Sequence, residues 1–402
     1  MTNSEPHVPR VLMTADTLGG VWTYSLELAR ALQPYGVEIA LATMGRRLSR
    51  AQRQEAAATR NLTIYESTYK LEWMNEPWED VERAGEWLLD LQRKVRPSVV
   101  HLNGYVHGVL PWEAPKIVVG HSCVLSWWRA VHGTKAPPEW DTYRRAVSAG
   151  LKAADAVVTP SRAMLESLRY HYGPLNLIAV IPNGRSCPPL RPRPKERLVL
   201  TAGRLWDAGK NVQALAQIAL ELPWPVFCAG QLKSPDSDGH TYPQVCCLGR
   251  LSPARLWQWY ARAAIYALPA RYEPFGLSVL GAALAGCALV LGDLPSLREI
   301  WGEAAVYVSP EDPQELKHVL RELMSSPILL AELGSRAHSV ASQFSPERMA
   351  RSYMALYNRL TTKKAADALK YPTSAVEGDK AEEARHSHKE CPEPCKLEEV
   401  TI

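Results

Sequence analysis

Two series of short, continuously apolar segments, divided by a proline-rich stretch, limit how this chain can fold. The first series is Arg10–Asp16 (RVLMTAD), Glu38–Met44, Val99–Asn103, Lys116–His121, Ala156–Ser161 and Ile178–Asn183. Amphipathic stretches such as Tyr24–Leu32 and Trp78–Lys94 separate them. Val- and Ile-rich runs without polar alternation predict strands buried on both faces, and the helical patterns between them predict parallel crossovers. Cys187-Pro-Pro-Leu-Arg-Pro-Arg-Pro-Lys then predicts a stiff, extended linker. The rhythm resumes with Arg197–Gly203, Val226–Gly230, Tyr266–Ala270, Cys287–Asp293 and Ala305–Pro310. The expected class is therefore α/β, with two doubly wound domains over residues 8–186 and 197–344. A helical pattern over Pro346–Leu360 follows the second domain.

With 402 residues, 46% hydrophobic and 22% charged, the chain can bury large cores without disulfide staples. Its eight cysteines lie mostly in apolar runs and read as reduced, buried thiols of a cytosolic protein. A net charge of +4 on so large a surface is too dilute for a nucleic-acid partner. No apolar run is long enough to span a bilayer, and the N-terminal residues have no signal-peptide core. From Thr361 onward large apolar residues become scarce, and residues 361–402 are expected to form a disordered tail.

Three segments carry chemistry. Asp16-Thr-Leu-Gly-Gly-Val-Trp ends the first strand and precedes a helix, so Gly19 and Gly20 would let backbone N–H groups approach an anion. The pattern is not GxGxxG, which disfavours a dinucleotide. Gly203-Arg-Leu-Trp-Asp-Ala-Gly-Lys-Asn sets Arg204 and Lys210 at the carboxyl end of the second domain's first strand. There, a fork-shaped and a point-like cation suit a diphosphate. Arg271-Tyr-Glu-Pro-Phe-Gly-Leu-Ser-Val puts Glu273 at a strand end and opens a helix at Phe275, Gly276, Leu277 and Ser278, whose free N–H groups suit phosphate. Glu273 as a cap and Phe275 as a core residue is the alternative reading of that segment.

Together these segments resemble the retaining nucleotide-sugar glycosyltransferases of family 4, which have the GT-B fold of two facing Rossmann-like domains. The resemblance covers about residues 10 to 360. It includes Asp155-Ala-Val-Val-Thr-Pro-Ser, Val180-Ile-Pro-Asn-Gly and the closing Phe344-Ser…Leu-Tyr helix, in the family's order. It implies that Arg204 and Lys210 neutralise the departing diphosphate, that Gly20 approaches it from the first domain, and that Gly276 and Leu277 donate to phosphate. It implies that Glu273 holds donor-sugar hydroxyls and that His121, in Val119-Gly-His-Ser, touches the donor sugar. Donor-base contacts are expected around Gly249, Arg250 and Leu251. The resemblance implies front-face chemistry with no protein nucleophile, and no metal or other cofactor is expected. One position departs from the family pattern: Gly281 stands where a second Glu usually binds the ribose, so either another group binds the ribose, or the donor differs, or donor binding is weakened, the last being the expectation to test.

The expected function is transfer of a hexose, from UDP- or GDP-hexose, to a glycan, lipid-linked or small-molecule acceptor. Three alternatives stay open: a GT-B protein that binds nucleotide sugar with weak or no transfer, a nucleotide-sugar epimerase, and a non-enzymatic interaction module that the tail could serve. Trp127, Trp128 and His132, near Arg129 and Trp140, form either an aromatic acceptor platform or core. Arg46, Arg47, Arg50, Arg53 and Arg60 read as a solvated face, with peripheral contact at the inner face of the membrane as the alternative. Asp236-Ser-Asp238 is a chance acidic pair in a polar loop, and His386, His388, Cys391 and Cys395 match no zinc spacing.

Overall fold

The computed structural model describes residues 9–190, 193–233, 242–370 and 399–400. The acidic pair Asp236/Asp238 and the His386, His388, Cys391 and Cys395 group lie outside the described residues. The first sheet is built from β1 (Arg10–Asp16), β2 (Glu38–Met44), β3 (Leu62–Glu66), β4 (Val99–Leu102), β5 (Lys116–Val119), β6 (Ala156–Thr159) and β7 (Ile178–Val180). Their order across the sheet is β7-β6-β5-β4-β1-β2-β3, all parallel. The second sheet comprises β8 (Glu196–Arg204), β9 (Val226–Gln231), β10 (Cys246–Gly249), β11 (Ala263–Leu268), β12 (Ala288–Gly292) and β13 (Val306–Val308). It runs in the order β10-β9-β8-β11-β12-β13, again parallel.

Each sheet has one switch point, where the order reverses beside β1 and beside β8. Both switch points open at the carboxyl ends of their strands, where doubly wound sheets bind ligands. Asp16 ends β1 and Arg204 ends β8, so the topology sets each of them at the switch point of its own sheet.

The chain crosses between domains twice, and the two crossings touch. Arg185 N–H donates to the Phe344 carbonyl at 3.1 Å, and Gly184 lies against Ser345. The returning helix, Pro346–Lys370, starts with Pro at its first position, where the missing N–H costs nothing. Its Met349, Ala350, Tyr353, Leu356, Tyr357 and Leu360 are buried in the first domain's core, against the Gly20–Leu32 helix. This helix continues ten residues past Leu360, correcting the expected start of the tail. Thr361–Lys370 contains Ala, Leu and Lys, good helix formers that extend a helix already nucleated by packing. Residues Glu399–Val400 pair in parallel with β7.

Two further expectations need correction. Of the six described cysteines only Cys123, Cys228 and Cys287 are buried, because β10 is an edge strand and leaves Cys246 and Cys247 exposed, while Cys187 opens the linker. The arginine-rich segment is no uniform solvated face: Arg53 pairs with Glu66 at 2.9 Å, and Arg46 turns inward with its Nη2 buried and unpartnered.

Candidate active site

A cleft of about 1270 Å³ separates the two domains, lined from both sides. The glycine turn after β1 forms one wall. Gly19 caps the Gly20–Leu32 helix in an extended conformation, with no side-chain cap. The Leu18 N–H instead donates to Asp16 Oδ1 at 2.5 Å. A Cβ on Gly19 would stand 3.7 Å from Arg204 Nη1 and 3.8 Å from Asp16 Oδ2, so this glycine keeps a gap between an acid of one domain and a cation of the other. A Cβ on Gly20 would meet only the end of Leu277, at 3.4 Å, which brings the first helix of one domain against the Leu277–Leu284 helix of the other.

The opposite wall carries the cations. Arg204 Nη2 donates to Asp207 Oδ2 at 3.1 Å, while Asp207 Oδ1 accepts from Gly209 N–H and from the Trp127 indole, at 2.9 and 2.8 Å. Burial pushes the Asp207 carboxyl up, but Arg204, Lys210 and these donors more than offset it and hold it below its ordinary range. Lys210 Nζ donates to Glu273 Oε2 at 2.8 Å and lies 3.4 Å from the Tyr272 carbonyl. An ammonium has three N–H donors, so one remains for a ligand. Gly276 holds the left-handed conformation (φ +90°) that turns the chain into the Leu277–Leu284 helix, where Cβ would crowd Val279. Gly276, Leu277, Ser278, Arg250 and Leu251 all line the cleft. Phe275 is buried and packs edge-on against Phe344, so its side chain serves the core reading as well.

His121 follows β5 in the first domain's wall. Asn103 Nδ2 donates to the Thr14 carbonyl at 2.7 Å, which leaves Oδ1 as an acceptor for His121 Nε2 at 2.8 Å. His121 therefore carries its proton on Nε2 and keeps Nδ1 as an acceptor. Behind it, His101 Nδ1 bonds the Tyr357 hydroxyl at 2.6 Å, and Tyr24 bridges His101 and Tyr353 at 3.1 and 2.6 Å. Through this network the returning helix braces the cleft histidine from behind. Burial brings both His101 and His121 down from 6.5 to about 3, so both are neutral near pH 7. Their shifts make a prediction. The unfolded chain protonates these rings near 6.5 and the folded chain does not, so they add stability above about 6.5 that is lost as pH falls toward 3. Burial also lowers His107 and brings His171 down to about 4, which adds to the loss, whereas it shifts Asp16 up to about 6 and Glu72 up to about 7, which opposes it. Denaturant titrations from pH 7 to 4 should show falling stability, with a shallower fall in His101→Gln.

Sequence reasoning missed Asp16 and Glu72 as cleft acids. Asp16 was legible only as the start of the glycine-turn segment, and nothing marks Glu72 in the chain; Glu72 matters because it accepts the Tyr105 and Val106 N–H groups at a loop that lines the cleft. Among the proposed acceptor residues, Trp127 lines the cleft, but its N–H is committed to Asp207 across it. Trp128 and His132 do not line it. They stack on each other with centroids 4.4 Å apart, because the Val124–His132 helix turns that pair outward. Gly281 does not line it either, since Arg185 and Tyr260 occupy the space beside it.

Residues 18–187 match the family model "Glycosyltransferase Family 4", and residues 196–326 match "Glycosyl transferases group 1". The chain belongs to the family 4-like glycosyltransferases of the GT-B fold. The chain is 28% identical over 273 residues to the glycogen synthase of Mycobacterium tuberculosis, a match covering 61% of this chain and 65% of that protein. It is 30% identical over 120 residues to the lipopolysaccharide core biosynthesis mannosyltransferase LpcC of Rhizobium leguminosarum, covering 29% of this chain and 34% of that one. The chain thus spans less than two thirds of the length of these relatives. Sucrose-phosphate synthase from Thermosynechococcus elongatus superposes with a TM-score of 0.72 at 18% identity, covering 88% of this chain and 100% of that chain. Anabaena HepE in complex with UDP and glucose superposes with a TM-score of 0.68 at 16% identity, with the same coverage. Both are likenesses of fold.

Proposed function

We propose that the protein is a retaining, metal-independent hexosyltransferase that uses a nucleotide hexose, UDP- or GDP-linked, and a carbohydrate, lipid-linked or small-molecule acceptor. The observation that carries this reading is the convergence of Arg204, Lys210 and the Gly19–Gly20 turn on one cleft. The solved HepE structures with UDP and with UDP-glucose, and the sugar-transfer names of the curated relatives, support it. Among the described residues no helix is long and apolar enough to cross a membrane. A lipid-linked acceptor would therefore be met at a membrane surface, the inner face in this reading.

In the transfer, the bond between the anomeric carbon and the β-phosphate oxygen breaks, negative charge grows on the diphosphate, and the acceptor oxygen bonds the same face of that carbon while its proton passes to the departing phosphate oxygen. Arg204 and the free N–H of Lys210 oppose that charge from preorganised positions, the role a metal plays elsewhere. Asp207 and Glu273 hold the two cations still. His121, neutral and accepting at Nδ1, takes a hydroxyl proton of the donor sugar into a hydrogen bond and fixes its orientation. The bonds from Trp127 to Asp207 and from Cys123 N–H to the Tyr272 hydroxyl, at 2.8 and 2.9 Å, close the domains over the site and keep water from intercepting the sugar.

The test is incubation with UDP- and GDP-hexoses and candidate acceptors, reading released nucleotide and the anomeric configuration of the product by NMR. Inversion would defeat the retaining reading, and no release with any acceptor would defeat transfer. Gly19→Ala is a sharper probe of the turn. Its new methyl meets only ordinary contacts, so melting should not change, yet it fills the gap between Asp16 and Arg204. Donor affinity should fall about tenfold by calorimetry, the cost of about one hydrogen bond.

A further inference from the structure

The position where the family pattern has a second carboxylate holds a cation instead. A Cβ on Gly281 would stand 2.4 Å from Arg185 Nη1 and 2.9 Å from the Tyr260 ring, so glycine is what makes room for the guanidinium. Arg185 comes from the crossing between domains. Its Nη1 donates to the Leu277 carbonyl at 2.6 Å, and its guanidinium carbon lies 4.9 Å from the Trp257 ring centre. The residue is only 9% exposed. No carboxylate of the described residues pairs with it; the acid beside its chain neighbour, Glu27, is held by the Ser186 hydroxyl at 2.6 Å. Next to it the Tyr260 hydroxyl is buried against the Arg185 guanidinium, a donor only, and its own proton has no acceptor among the described residues. Both residues line the cleft.

A charge this deep usually has an opposite charge, and a buried hydroxyl usually has a partner. One kind of ligand satisfies both: guanidinium matches the oxygens of phosphate, and a phenol O–H can donate to a third oxygen. We propose that Arg185 and Tyr260, admitted by Gly281, form a phosphate-binding subsite of the cleft. This rests on the reading of the cleft as a nucleotide-donor site. The phosphate is either part of the donor's diphosphate or an additional phosphate on its ribose.

Calorimetry on the full chain tests this with UDP, GDP and ADP, with uridine, guanosine and adenosine, and with the 2′- and 3′-phosphorylated forms of each nucleoside diphosphate. Arg185→Met should weaken a phosphate-bearing ligand about ten- to hundredfold and leave the nucleosides unchanged. A loss seen with the plain diphosphates assigns the subsite to the diphosphate. A loss confined to the ribose phosphates assigns it to that group. Arg185→Lys should recover part of the affinity. Tyr260→Phe, which removes one oxygen and leaves the ring packing intact, should fold as the parent does and give a smaller loss for the same ligands. Gly281→Glu should also weaken binding, because its carboxylate would neutralise Arg185; an eroded ribose clamp predicts the opposite. Equal affinity of parent, Arg185→Met and Tyr260→Phe for every phosphate-bearing ligand would overturn the proposal while leaving the donor reading intact. A parent protein that binds no nucleotide at all would overturn both.

Discussion

Lys210→Ala is expected to lower the turnover number about 10²- to 10³-fold, the usual cost of removing one preorganised group that faces developing charge. The donor's affinity should change less than turnover, because the ground-state diphosphate still meets Arg204, whereas charge on the leaving oxygen grows only in the transition state. The variant has a second effect. It strands Glu273, whose side chain is only 12% exposed, without its cation. Removing one partner of a buried pair destabilises by leaving the other uncompensated. Lys210→Ala with Glu273→Gln, read beside Glu273→Gln alone, separates the two effects: melting temperature should return toward the parent value, and transfer should stay below that of Glu273→Gln alone. Single-turnover kinetics on these variants reads the difference. Turnover in the double variant equal to that of Glu273→Gln alone would mean that Lys210 has no part in the chemistry.

Gly184→Ala is expected to destabilise the fold by about 3 kcal/mol, near the upper end of overpacking costs. The reason is space, not backbone conformation. A Cβ there would stand 2.4 Å from the Ser345 carbonyl oxygen and 2.6 Å from Pro346 N, backbone atoms that begin the returning helix. At Gly281 the nearest obstacle is the end of an arginine side chain, which can shift; at Gly184 it is the main chain of the other crossing, which cannot. Urea titration should show a lower midpoint with an unchanged slope, and donor affinity should fall with it, since Arg185 is the next residue. A midpoint equal to the parent's would contradict the tight pairing of the two crossings.

The architecture was readable from sequence because buried parallel strands leave continuous apolar runs. β1 and β2 match their predicted bounds residue for residue. The strands that went unpredicted are edge strands. β3 (LTIYE) carries polar Thr and Glu among its apolar residues, and β10 (CCLG) is mostly exposed; neither sits between two covered faces. Much of the candidate site was readable too, since Arg204, Lys210, Glu273 and the glycine turn lie within contiguous motifs at strand ends. What was not readable depends on meetings distant in the chain. Trp127 finds Asp207 across 80 residues, and Arg185 finds Leu277 across 92. Glycine at 281 read as a loss; its meaning is a vacancy that another side chain fills. His121 was legible as a residue, but its tautomer was not, because that follows from Asn103, Thr14 and the tyrosines of a helix from the far end of the chain.

The central claim is that this cleft binds a nucleotide sugar by its diphosphate. Thermal shift with UDP-, GDP-, ADP- and dTDP-hexoses, on the parent and on Arg204→Ala, tests it most directly. A ligand at one hundred times its Kd adds about 2.7 kcal/mol to the folded state. At least one donor should raise the parent's melting temperature with concentration, and Arg204→Ala should lose most of that shift. No shift with any donor, or an equal shift in the two proteins, would contradict it.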